Sequence, residues 1–142
     1  MDKDLIARTS VNIKATRAKV WGALIKPEEI KQYMFGTNVI TDWCKGSPII
    51  WKGEWQGKPY EDKGVVLQFS PERTIQYNHF SPLSGLSDKL ENYHTVTIEL
   101  SGEGNKTEVS LPQDNNPTKQ ARDHSEKNWK MMLTALKKFL EH

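Results

Sequence analysis

The 142-residue chain has a single cysteine, Cys44, so no disulfide can form within it and a reducing compartment is the simpler setting. Long apolar runs are missing too. The uncharged apolar stretches are a few residues each, far short of the roughly 20 that a bilayer-spanning helix requires. Met1-Asp2-Lys3-Asp4 has no apolar run behind it and does not read as a signal peptide, so a cytoplasmic protein is expected. Charge of one sign is not in excess: Lys and Arg total 20 against 18 Asp and Glu, with the signs interleaved. Nucleic-acid binders concentrate basic residues on one face; no such block occurs, and no nucleic-acid partner is expected. There is no phosphate loop, zinc-protease motif or nucleophile elbow, and Gly102-x-Gly104 reads as a hairpin turn without the strand-to-helix context of a phosphate site. No tight ligand spacing joins Cys44 to the histidines, so neither a metal nor a cofactor is expected.

What is present is a polar composition, 36% hydrophobic and 27% charged, with mean hydropathy -0.70. A domain of this length buries roughly 68–70% of its unfolded surface and folds without staples. One domain is expected over residues 1–139; Leu140-Glu141-His142 is compatible with the start of an expression-tag scar.

Hydrophobic periodicity orders the elements. Leu5 to Ile13 reads as a strand. Thr16 is placed as the N-cap of a helix to about Ile25, with Val20, Trp21 and Leu24 on one face. Pro27-Glu28-Glu29 starts a second short helix that carries Ile30, Tyr33 and Met34 inward. Strict alternation then sets Ile49, Trp51, Gly53 and Trp55 on one strand face. After a turn at Gln56-Gly57-Lys58-Pro59, a strand from Tyr60 to Phe69 groups Val65, Leu67 and Phe69. Ile75, Tyr77 and His79 share the next face. A long loop, Ser81 to Asn92, leads to His94, Val96, Ile98 and Leu100, and a hairpin turn leads on to Thr107, Val109 and Leu111. Asn116 before Pro117 reads as the N-cap of a helix from Thr118 to Leu140, with Trp129, Met132, Leu133, Leu136 and Leu140 in a stripe and a Glu126–Lys130 pair outside. The order is strand, two short helices, about six strands, one long helix. Short turns between strands imply an antiparallel sheet. The fold class is α+β: a curved sheet gripping the long helix, with space for a cavity between them.

Several strings together resemble a known family. Val20-Trp21 with Ala23-Leu24 and Pro27-Glu28, then Trp51-Lys52-Gly53-Glu54-Trp55, Asp62-Lys63-Gly64-Val65-Val66, Pro71-Glu72-Arg73 and Tyr77, and finally Trp129-Lys130-Met131-Met132-Leu133 through Leu136-Lys137, are similar to the activator-of-heat-shock-protein-90-ATPase homologues. That family lies in the START-like (Bet v 1-like, SRPBCC) superfamily. The resemblance covers about Ile6 to Phe139. It implies a helix-grip fold with a ligand-sized cavity and, as a partner, a heat-shock-protein-90 homologue. Superfamily relatives bind lipids, hormones or polyketides, and some are cyclases.

The candidate site residues follow from the inward faces. Trp51, Trp55, Tyr77, Trp129 and Met132 would line a cavity for a small hydrophobic or aromatic ligand. His79 and His94 flank the long loop and, if their strands pair as a hairpin, face each other near its mouth, with Tyr77 near Val96. Imidazoles there suit orienting a hydroxyl or moving a proton. Taken singly, each aromatic and Met132 reads first as core filling and each histidine as a hydrogen-bonded or half-exposed side chain; taken as a set, they are expected to form at least one pocket wall. Glu54, Glu61 and Asp62 read as solvated, and Cys44, near a turn beside Lys45, has no base near it in sequence. No residue set demands catalysis, so binding is favoured over enzymatic turnover, with a cyclase or hydratase acting through His79 or His94 as the other reading.

Overall fold

The computed structural model describes residues 5–34, 36–55, 57–81 and 86–141; within strand Pro48–Trp55 the side chain of Trp55 lies outside the described set. Strand β1 (Ala7–Ile13) is followed by helices α1 (Arg17–Ile25) and α2 (Pro27–Tyr33). Strands β2 (Asn38–Thr41), β3 (Pro48–Trp55), β4 (Lys58–Ser70), β5 (Thr74–His79), β6 (His94–Ser101) and β7 (Thr107–Gln113) come next, and helix α3 (Lys119–Leu140) ends the order. The strands form one antiparallel sheet in the order β1-β7-β6-β5-β4-β3-β2. The α1–α2 pair therefore carries the chain from one edge of the sheet to the other. The sheet is curved around α3 in the helix-grip fold.

Local chemistry explains the helix starts. The Thr16 hydroxyl accepts the Lys19 amide at 3.2 Å, as expected of an N-cap. The start of α3 differs from expectation. Thr118, not Asn116, is the cap, its hydroxyl accepting the Ala121 amide at 3.0 Å. Asn116 is buried and works between elements: its Nδ2 donates to the carbonyls of Leu5 and Gln113, and its Oδ1 accepts from Ser125. Glu126 likewise turns from Lys130 to the Arg8 amide of edge strand β1, at 3.1 Å. Lys137 Nζ reaches the Asn12 carbonyl at 2.7 Å, and Glu141 takes the Lys14 amide at 2.9 Å. Leu140 is buried against the core. Helix and first strand are thus laced along their length.

Strand β4 departs from simple alternation. It begins at Lys58, so only Gln56, outside the described residues, and Gly57 remain for the turn. Its buried positions are Gly64 and Val66, while Val65 is exposed, the reverse of the expected Val65-Leu67-Phe69 set. The pairing with β5 shifts between Val66 and Gln68, and this bulge changes the phase so that Phe69 still packs on the core. At Gly64 a Cβ would sit 1.8 Å from the Asn78 carbonyl oxygen, so glycine alone permits the close strand approach. In the loop after β5, Pro82 and Gly85 lie outside the described residues; a short 3₁₀ turn, Leu90–Asn92, leads into β6. The core fills the concave side, from Val20, Trp21 and Leu24 of α1 through Ile49, Val66, Ile75 and Val109 of the sheet to Leu133 and Leu136 of α3.

A candidate ligand cavity beside Asp62, His79 and His94

At the end of the concave face nearest the start of α3 the packing opens. Period-2 geometry brings Trp51 of β3, Tyr60 and Asp62 of β4, Tyr77 and His79 of β5, His94 of β6 and Gln113 of β7 toward one region. The registers set the contacts: Trp51 is opposite Asp62, Tyr77 opposite Val96, and His79 opposite His94. The last two are the pairings that alternation in the sequence led to. Trp51 and Tyr77 have ring centroids 5.0 Å apart, His79 meets Trp51 edge-on at 5.0 Å, and His79 and His94 stack at 6.4 Å.

Two adjoining spaces with shared walls result. The larger, about 360 Å³, is lined by His79, His94, Gln113, Trp129 and Met132, with Tyr60, Thr37 and the exposed Glu54 among its further walls. The smaller, about 90 Å³, is an annex that shares Tyr60, His79 and Trp129 with it and adds Trp51, Asp62 and Tyr77. Six of the seven residues singled out from the sequence, Trp51, Tyr77, His79, His94, Trp129 and Met132, border these spaces. The seventh, Trp55, has its side chain outside the described residues. Gly53 helps to shape the wall: a Cβ there would lie 2.6 Å from the Tyr60 hydroxyl, so its absence lets that ring lie across β3. The hydroxyl in turn meets Thr37 Oγ1 at 2.5 Å, joining β4 to the segment after α2.

The polar groups are held in defined states. Asp62 Oδ2 lies 2.8 Å from His79 Nε2, and Asp62 Oδ1 is buried without a hydrogen-bond partner. This overturns the solvated reading of Asp62: its side chain is 17% exposed and faces inward with Gly64 and Val66. The signal was available in the same period-2 set, obscured by the bulge that follows. His94 Nδ1 is 3.0 Å from the Asp114 carbonyl. A carbonyl only accepts, so Nδ1 carries the hydrogen and Nε2 keeps its lone pair. Burial lowers the His94 pKa below its ordinary value, partly opposed by the Asp114 bond and reinforced by His79, which favours the neutral ring. The Trp129 indole N–H donates to Gln113 Oε1 and fixes the helix side of the wall. Burial pushes the Tyr77 hydroxyl well above the usual tyrosine range, so it stays protonated. Cys44 is exposed, and among the described residues no three His, Cys, Asp or Glu side chains cluster in a way that would hold a metal.

Comparison with known proteins places this geometry. The family model described as "Activator of Hsp90 ATPase homolog 1-like protein" matches residues 14–141. The solution structure of ChR145 from Cytophaga hutchinsonii is 56% identical with a TM-score of 0.86, covering 99% of this chain and 97% of that one. CalU16 from Micromonospora echinospora is 20% identical with a TM-score of 0.76, over 95% of this chain and 75% of its own. The Aha1 dimer from Colwellia psychrerythraea is 22% identical with a TM-score of 0.74, over 96% of each chain. The last two likenesses establish the fold alone. No curated protein matches the chain.

Proposed function

Since the chain belongs to the Activator of Hsp90 ATPase homolog 1-like family, we propose that it is a non-enzymatic binding domain that takes a small hydrophobic or aromatic molecule between its sheet and its last helix. The observation that carries this reading is the cavity of about 360 Å³ walled by Trp129 and Met132. That volume falls in the range of roughly 300–1,000 Å³ usual for small-molecule sites. Apolar walls with a few convergent polar groups at one end are what such sites need, and His79, His94 and Gln113 supply the polar end. The cytoplasm is the setting proposed, on the strength of a single exposed cysteine and the absence, among the described residues, of a helix long and apolar enough to cross a membrane.

The test is a two-dimensional amide NMR titration with fatty acids, flavonoids and polyketide-like aromatics. Saturable shifts around Trp51, Tyr77 and Trp129 are expected, and Trp129→Ala is expected to weaken binding while the spectrum stays dispersed. Absence of saturable shifts with every compound would sink the reading. A second reading, association with a heat-shock-protein-90 homologue through the outer surface, is favoured by the family match. Mixing the two proteins at tens of micromolar and seeing no complex would dismiss it. A third, a cyclase or hydratase, draws on the Asp62–His79 pair as an oriented acid–base group. It requires turnover whose pH profile disappears on replacing His79 or His94 by glutamine.

A further inference from the structure

Histidines apart, the charges bordering the cavity are of one sign. Glu54 at the rim of the main chamber and Asp62 in the annex are acidic, and among the described residues no lysine or arginine borders either space, although the chain carries 20 of them. The buried side-chain atom of this lining that lacks a hydrogen-bond partner among the described residues is an acceptor. Asp62 Oδ1 has no donor. Because a carboxylate only accepts, His79 Nε2 bears the hydrogen toward Oδ2. His94 donates from Nδ1 to the Asp114 carbonyl, which leaves Nε2 of its neutral ring bare. Of the indole donors, that of Trp129 is committed to Gln113, leaving that of Trp51. Around Asp62 stand four aromatic rings, those of Trp51, Tyr60, Tyr77 and Trp129.

From these features we infer that the ligand carries a protonated amine, which seats in the annex against Asp62 while its apolar body occupies the main chamber. This rests on the chamber being a ligand site and names the class of ligand that suits it. A primary ammonium brings three N–H donors and a positive charge. It matches an acidic pocket with a buried, unpartnered carboxylate oxygen better than a hydroxyl with one donor. Aromatic faces attract a cation through their quadrupoles. The terminal torsion of an aspartate is soft, so either carboxylate oxygen can turn into the annex. A carboxylate-headed ligand would meet Asp62 with repulsion and find, among the described residues, no lysine or arginine in the lining to compensate.

The experiment compares three molecules of one shape: 2-phenylethylamine, 2-phenylethanol and 3-phenylpropanoate, titrated into the full chain and followed by amide NMR near neutral pH. The amine is expected to bind at least tenfold more tightly than the alcohol, and the anion most weakly. In Asp62→Asn the preference for the amine over the alcohol should fall to within about twofold. Should Asp62→Asn not fold, the carboxyl carbon resonance of Asp62 in the unsubstituted protein answers the same question. It should shift with the amine and stay still with the alcohol. Equal binding of amine and alcohol, or a preference that survives Asp62→Asn, overturns the inference. If fatty acids or flavonoids bind but the amine gains nothing, only this inference fails; if nothing binds at all, the cavity reading fails with it.

Discussion

Replacing Trp129 with phenylalanine isolates one contact in the cavity wall, the hydrogen bond from the indole N–H to Gln113 Oε1. The ring that borders the cavity is largely kept; the donor is lost. Gln113 is only 7% exposed, so its oxygen would be left nearly buried. A stranded buried acceptor costs about 1–3 kcal/mol. Gln113 also borders the 360 Å³ space, where water can replace the lost donor, which argues for the lower half of that range. Trp129→Phe should therefore cost about 1–2 kcal/mol. In a domain of this size that lowers Tm by about 2–8 °C. Gln113→Leu alone frees the indole N–H of a half-buried residue that can find water, and should cost under about 1 kcal/mol. The double variant removes donor and acceptor together, so the two costs should not add: a coupling of about 1 kcal/mol is expected. Urea or thermal unfolding of the four proteins measures it. Additivity within about 0.3 kcal/mol would show that the bond does not hold the wall.

Two pH predictions follow from burial. His94 has its pKa lowered in the folded state, so its contribution is fully present above the unfolded value of about 6.5 and is lost as pH falls below it, because the unfolded ring takes up the proton first. Tm should drop on acidification from about pH 7.5 to 5, and His94→Gln, which can still donate to Asp114, should flatten that slope; parallel slopes would refute it. Tyr33, whose hydroxyl donates to the Ala23 carbonyl at 2.7 Å, and Tyr77 are both raised by burial. Stability should therefore hold up to the ordinary tyrosine value of about 10 and fall above it, with the tyrosinate absorbance of these two rings appearing only together with loss of circular dichroism. Ionisation before unfolding would contradict their burial.

Most of the architecture was readable in the sequence because two periodicities dominate it. The Trp129-Met132-Leu133-Leu136-Leu140 stripe and the alternation through Trp51, Tyr77, Val96 and Val109 both became walls of the interior. What escaped were long-range effects. A bulge has no local hydrophobic signature, so the reversed face of Val65 and Val66 needed the pairing with β5 to be seen. Asn116 looked like a cap because Pro117 follows it; its carbonyl partners, Leu5 and Gln113, lie 111 and 3 residues away, and only the first of these is decided by the fold. Short β2 was not located, since four residues hold too few periods to stand out. Asp62 was passed over because a carboxylate near a turn is normally solvated. Its role depends on His79, 17 residues on, being its neighbour across the sheet.

The lacing of α3 to β1 and its flanks joins residues 111 to 127 positions apart. During synthesis the N-terminal partners emerge first, at about 5–20 residues per second, so they wait on the order of 6–25 seconds for the segment that covers them. Until then the concave apolar side of the nascent sheet is uncovered, a period when sticking to other chains competes with docking. The cavity itself comes into being only when the final helix lands, because Trp129 and Met132 are part of its wall. Any small molecule it holds is therefore acquired once α3 has docked, not before.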